Sequence, residues 1–346
     1  MTLSPSLSPS PPHEAMTSNS NPHLPPGGDP PARNLSGWVG VHLRGMAMGA
    51  AELVPGVSGG TIAFITGIYL ELVRSIRGLD LGLLRLAASG RLGEAWRRGN
   101  LGFLGLLGVG MLTSVIFLAS LLAWLLENRE VHIWAFFFGL IVASVPYVGR
   151  FARPWGSRRI AVGLVGLVLG VLLSNVQPLP APDHWISTFL AAAVAICAWI
   201  LPGLSGSFIL LILGKYEQLV RAISVVDPGF LFAFAAGCGV GLLAFSRVLT
   251  WLIRTRYEAT LAFLCGLMAG SLPKLWPWRE TVSTYVDSSG ETLPLVTRPV
   301  SPASWEAITG SAASVPGALA SGAGAVLLVL ALDRLSRRPG VEPDPT

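Results

Sequence analysis

Eight apolar stretches follow residue 44, and two of them are broken at their centre by the same cluster of proline, serine and glycine. The breaks read PGVSGG at 55–60 and PGLSGS at 202–207. Proline removes a backbone donor and crowds the preceding turn, and adjacent glycines open the left-handed region, so a continuous helix through either cluster is not expected. The first arm, Gly45 to Val54, would be a helix about 15 Å long, half of a hydrocarbon core of roughly 30 Å. Each broken stretch is therefore either a helix that crosses with a break or a hairpin that enters and leaves on one face.

The basic residues choose between these. One loop carries Arg74, Arg77, Arg85, Arg91, Arg97 and Arg98, another carries Arg150, Arg153, Arg158 and Arg159, and residues 174–187 carry no Lys or Arg. Arginine-rich loops stay cytoplasmic. Hairpins over 43–74 and 190–222 leave six spans, at 101–126, 132–148, 160–176, 229–253, 259–273 and 309–332. They also put the Arg254/Arg256 turn and the 334–346 tail inside, whereas crossing motifs would put that tail outside. The sequence thus predicts an all-α polytopic membrane protein with both termini cytoplasmic.

Composition agrees. Only 12% of the 346 residues are charged and the mean hydropathy is +0.61, against about a quarter charged in a soluble domain. The net charge of +5 is accounted for by loop arginines and does not indicate nucleic acid. Residues 1–36 contain nine prolines, cannot bury enough surface to fold, and lack the pattern of a signal peptide. Cys197, Cys238 and Cys265 sit inside apolar runs and read as packing.

The body is also duplicated. Residues 51–76 and 198–223 match without a gap at 13 of 26 positions, including Tyr69/Tyr216 and Arg74/Arg221, and residues 101–147 match 228–274 through Gly102/Gly229, Trp124/Trp251, Arg129/Arg256 and Pro146/Pro273. Two repeats are expected, 37–176 and 188–333, each a re-entrant hairpin plus three spans. Three spans are an odd number, so the second repeat would be inverted, the arrangement in which transporters bring interrupted helices together near the midplane.

Chemistry concentrates at the hairpin tips. Ser58 and Ser205 are placed to cap helix starts, and Gly59, Gly60 and Thr61, or Gly206 and Ser207, would leave backbone N–H groups uncovered. Such starts attract anions, phosphate in particular. The competing reading is that Pro55, Gly56, Pro202 and Gly203 merely let two hairpins pack closely, and the sequence leaves both open. Glu52 lies one turn before the first break, where the second copy has Trp199. A carboxyl inside a membrane is a functional candidate by default, suited to reversible protonation; its structural alternative is a pair with Arg44. Arg74 and Arg221 each end a hairpin arm, where they could meet an anionic head group or snorkel to ordinary lipid. No catalytic constellation, metal-ligand spacing or cofactor motif accompanies them. Residues 77–100 are expected to form an amphipathic surface helix, and a strand pair is expected around Asp287–Gly290.

At GMAMGAAELVPGVSGGTIAFITGIY (45–69) and ICAWILPGLSGSFILLILGKYE (196–217) the sequence resembles the polyprenyl-phosphate transporter family, over residues 38–333. The resemblance implies a bacterial cytoplasmic-membrane protein that returns undecaprenyl or decaprenyl phosphate from the outer to the inner leaflet. By position it implicates Glu52, Pro55, Gly56, Ser58, Gly59, Gly60 and Thr61, with Pro202, Gly203, Ser205, Gly206, Ser207 and Glu217. The first copy departs from the family pattern, with Leu70 after Tyr69 and the acid one place later at Glu71. The lipid substrate and a coupling proton or cation at Glu52 are the expected partners, and a homo-oligomer is left open. A transporter of a small soluble anion and a membrane enzyme acting on lipid phosphate are the rival readings.

Overall fold

The computed structural model describes residues 33–53, 57–176, 182, 184–286 and 292–336. Asn34 accepts from Gly37 N–H and starts α1 (Leu35–Glu52), eighteen residues long. The first tip follows, and its Pro55 and Gly56 lie outside the described residues. Beyond it come α2 (Gly59–Ile65) and α3 (Tyr69–Arg77), bent by 119° from one another. The returning arm is thus not the single helix to Arg74 that the sequence suggests. Gly67 takes φ 76°, and the N–H of Ile68 donates to Ala63 O, a Schellman-type stop. The hairpin nevertheless doubles back, since Arg44 Nε, two turns before the tip, donates to Thr66 O at 3.2 Å.

The loop 77–100 holds two short helices, α4 (Leu81–Ala88) and α5 (Leu92–Arg98), rather than one. Gly90 at φ 78° separates them, and Asp80 ties them together by accepting from Leu83 N–H and Arg98. Then follow α6 (Leu101–Asn128), α7 (Glu130–Gly149) and α8 (Ser157–Asn175).

The second half has the same order: α9 (Trp185–Ile200), α10 (Gly206–Ile212), α11 (Tyr216–Ser224), α12 (Pro228–Thr255) and α13 (Tyr257–Ser271). Gly214 at φ 64° and the bond from Lys215 N–H to Leu210 O reproduce the stop after α2. Strands β1 (Arg279–Val286) and β2 (Thr292–Pro299) pair antiparallel, as expected, with residues 287–291 of their connection outside the described residues. Finally α14 (Pro302–Thr309) precedes α15 (Val315–Ser336). This last span starts later than the expected 309, because Gly310 at φ 68° closes α14 and Ser314 at φ 46° interrupts the backbone before Val315.

Among the described residues α6, α7, α8, α12 and α15 are long and apolar enough to cross a bilayer, and α2 with α3 meets the same test as one bent pair. The chain is a multi-pass membrane protein. Helix α13 has only fifteen residues, eleven of them buried. Being covered by α7 and α8, it is shielded from the lipid thickness that sets the length of an exposed span.

Small residues let the helices touch backbone to backbone, as membrane packing requires. A Cβ on Gly45 would lie 2.3 Å from Leu107 O, and one on Gly49 2.7 Å from Met111 O. Both numbers rise together, so α1 runs parallel to α6. In the second half Gly237 meets Phe189 O and Gly241 meets Ala193 O at 2.2 and 2.4 Å, so α9 runs parallel to α12. Gly110 and Gly237, equivalent in the duplication, each face the preceding hairpin arm. The remaining spans pair across the halves. Gly139 of α7 meets Gly322 of α15, and Gly266 of α13, equivalent to Gly139, meets Gly163 of α8.

The direction of the hairpins follows. Asn100, before α6, donates to Glu71 in α3, and α3 also packs on α12 beside Arg254. The start of α6 and the end of α12 therefore share one end of the bundle, the arginine-rich end. Helix α1 enters there; α9, parallel to α12, enters from the opposite end.

Candidate functional site

The two tips, 147 residues apart in sequence, touch inside the bundle. Ser58 caps α2 by accepting from Gly60 N–H at 3.1 Å, and its hydroxyl donates to Leu201 O at 3.1 Å. In return Gly203 N–H donates to Thr61 Oγ1 at 3.1 Å. Ser58, Thr61 and Ser205 are each at most 2% exposed. A Cβ on Gly60 would lie 2.6 Å from Ile200 O, and Gly203, at φ 88°, would carry one 2.7 Å from Met268 Cα. Of these glycines Gly60 lies against the other hairpin, Gly203 packs on α13, and Gly206 packs within its own hairpin, against Ala195 O at 2.9 Å.

Glu52 occupies the start of α2 itself. Its Oε1 accepts from Gly59 N–H at 2.6 Å, so a carboxyl group already sits where a helix start favours negative charge. Arg44, the partner considered for it, donates instead to Thr66 O. The second tip has no such acid. Ser205 accepts from Phe208 N–H at 3.4 Å and shares a hydrogen bond with Ser207 Oγ at 2.8 Å. A cation stands beside it: Lys274 Nζ lies 4.5 Å from the centre of the Phe208 ring. Sequence reasoning passed over Lys274 because it follows α13 in a short 3₁₀ turn, and nothing in its neighbourhood points back to Phe208.

Of the other candidates, Arg74 and Arg221 lie on the separate helices α3 and α11 rather than at the ends of continuous arms. Arg221 is exposed, and Glu217 sits half-buried in the first turn of α11. Neither reaches the tips. Glu71 is bound by Arg33 at 2.5 Å and by Asn100 at 2.9 Å, which makes it a structural anchor for α3. No cluster of His, Cys, Asp or Glu suited to a metal ion occurs among the described residues.

The Thr61–Gly203 bond allows a direct check. Thr61→Val keeps the shape but leaves a buried N–H unpaired, a loss of about 1–3 kcal/mol. The expected result is a lowered thermal midpoint in detergent, restored by Thr61→Ser.

Comparison with known proteins finds relatives over most of the chain. A protein of Vibrio cholerae serotype O1 named "Polyprenyl-phosphate transporter" is 43% identical over 301 residues, 87% of this chain and 98% of that protein. One of the same name from Staphylococcus aureus is 31% identical over 262 residues, 70% of this chain and 88% of the relative. No solved structure matches the chain. Residues 48–293, which hold both tips, fit the family described as VCA0040-like, undecaprenyl phosphate translocase-like, and the chain belongs to that family.

Proposed function

We propose that the protein carries polyprenyl phosphate, of undecaprenyl or decaprenyl length, from the outer to the inner leaflet of a bacterial cytoplasmic membrane. The observation that carries this reading is the meeting of two capped helix starts inside the bundle, one of them holding a carboxyl group on a free backbone N–H. A phosphate on a long lipid can use the same donors while its isoprenoid tail stays in the bilayer. The names of the two relatives support the substrate.

In this mechanism the halves act as inverted repeats, which the opposite directions of α1 and α9 and their equivalent glycine contacts support. The arginine-rich end is cytoplasmic, with both termini on that side. Phosphate arrives from the outer leaflet at the second tip, where Lys274 supplies positive charge without a competing acid. At the first tip it displaces Glu52, which takes up a proton as it leaves Gly59. The protein acts as a transporter and breaks no bond in the lipid.

The test is transfer of labelled undecaprenyl phosphate in proteoliposomes. The wild type is expected to move it, and the double variant Ser58→Ala, Ser205→Ala to lose most of that rate. Competition by inorganic phosphate alone would favour a soluble-anion transporter. Released inorganic phosphate would favour an enzyme. Undiminished transfer by the double variant would remove the tips from the mechanism.

A further inference from the structure

A cavity of about 160 Å³ lies away from the tips, at the arginine-rich end. Phe64, Tyr69 and Leu70 line it from the first hairpin, Tyr147 from the end of α7, Phe151 from the 3₁₀ turn that follows it, and Tyr257 from the start of α13. Tyr69 is 2% exposed, and its buried hydroxyl has no hydrogen-bond partner among the described residues. Leaving such a donor unpaired is costly, and a buried polar group without a partner is rare enough to point to a missing acceptor.

Beside the cavity stands the Arg74 guanidinium, which feels the charge of Glu71, while Arg150, stacked on Tyr147 and Phe151, is paired with Asp333. Arg74 follows Leu70 by one turn on the same face of α3. Its Nη2 is buried without a partner. The adjacent acid, Glu71, is held by Arg33 and Asn100. Across from Arg74, at the end of α12 and three residues before Tyr257, Arg254 adds a second, repelling positive charge. Two guanidinium groups brought together in this way fit the oxygens of a phosphate.

We propose that this is a second receptor for prenyl phosphate, distinct from the tips. Arg74 and Arg254 hold the phosphate, the aromatic cavity takes the first isoprene units, and the Tyr69 hydroxyl donates to an oxygen of the phosphate ester. In a cycle ending at the arginine-rich end, it is the last site before release into that leaflet. The inference rests on prenyl phosphate being the substrate, and its test separates the two.

Farnesyl phosphate, a short analogue, is titrated onto the full-length protein in nanodiscs and followed by tryptophan fluorescence. Arg74→Gln and Arg254→Gln are each expected to weaken binding about tenfold or more, the worth of one charge-assisted hydrogen bond. Tyr69→Phe is expected to weaken it several-fold. Arg254 is exposed, so its variant tests the site without disturbing the core, and a thermal midpoint checks the folding of the Arg74 variant. Wild-type affinity in both arginine variants would overturn the inference, while loss of binding in Ser58→Ala, Ser205→Ala would leave the tips as the only site. Failure of the wild type to bind farnesyl phosphate would overturn the substrate assignment itself. Equal displacement by dioleoyl phosphatidic acid would make this a site for any lipid phosphate, and so overturn the prenyl part of the inference.

Discussion

Glu52→Gln is expected to abolish the pH dependence of lipid transfer, with the protein still folded. The reasoning starts from one bond, Gly59 N–H to Glu52 Oε1 at 2.6 Å. A glutamine can accept from the same N–H, so the tip keeps its shape. What it cannot do is change charge. In the proposed cycle the carboxylate holds the α2 start as a tethered anion, and protonation weakens that hold so that phosphate can replace it. With glutamine in place, the exchange no longer depends on the proton. Transfer in proteoliposomes across a pH series measures this directly, and a pH profile identical to the wild type would remove Glu52 from the coupling step.

Gly60→Ala is expected to have the largest effect on the contact between tips. The added Cβ would stand 2.6 Å from Ile200 O, a backbone atom fixed in the last turn of α9 that cannot swing aside. Overpacking of this kind costs about 1–3 kcal/mol. Here it would also pry Ser58 from Leu201 and Thr61 from Gly203, two hydrogen bonds that depend on the same approach. Transfer should be lost and the thermal midpoint lowered. Gly105→Ala is the matched control. It lies in α6 with nothing within 4 Å of the new Cβ, so it should leave both measurements unchanged. Equal behaviour of the two variants would mean that the tip contact is dispensable.

Much of this arrangement is legible in the chain. Long apolar runs without interior acids have few alternatives in a membrane, and the Pro-Gly clusters mark the tips because backbone chemistry forbids a helix through them. The bend after α2 was less legible. Its signal, the glycine shared by Thr66-Gly67-Ile68-Tyr69 and Leu213-Gly214-Lys215-Tyr216, is visible, but an isolated glycine in an apolar run does not distinguish a helix stop from a packing contact. Glu52 stood out as a charge in an apolar setting, yet its partner is a backbone N–H seven residues on, beyond a tip whose geometry the sequence does not give. The cavity at Tyr69 was illegible for a related reason. Its walls come from three segments, the first and last of them 187 residues apart from Leu70 to Tyr257, and one sequence carries no record of which aromatic residues face one another.

The cross-pairing of the spans bears on how the protein is made. Helix α7 rests against α15, joined by Ser314 and His132 at one end and by Arg150 and Asp333 at the other, while α8 rests against α13. Synthesis proceeds from the N-terminus, so α7 and α8 enter the bilayer with their glycine faces turned to lipid. They stay so until about 100 further residues bring α13, and nearly 200 bring α15. The first half can be inserted early but not finished, and truncation before α15 should leave α7 open to insertase, chaperone or protease.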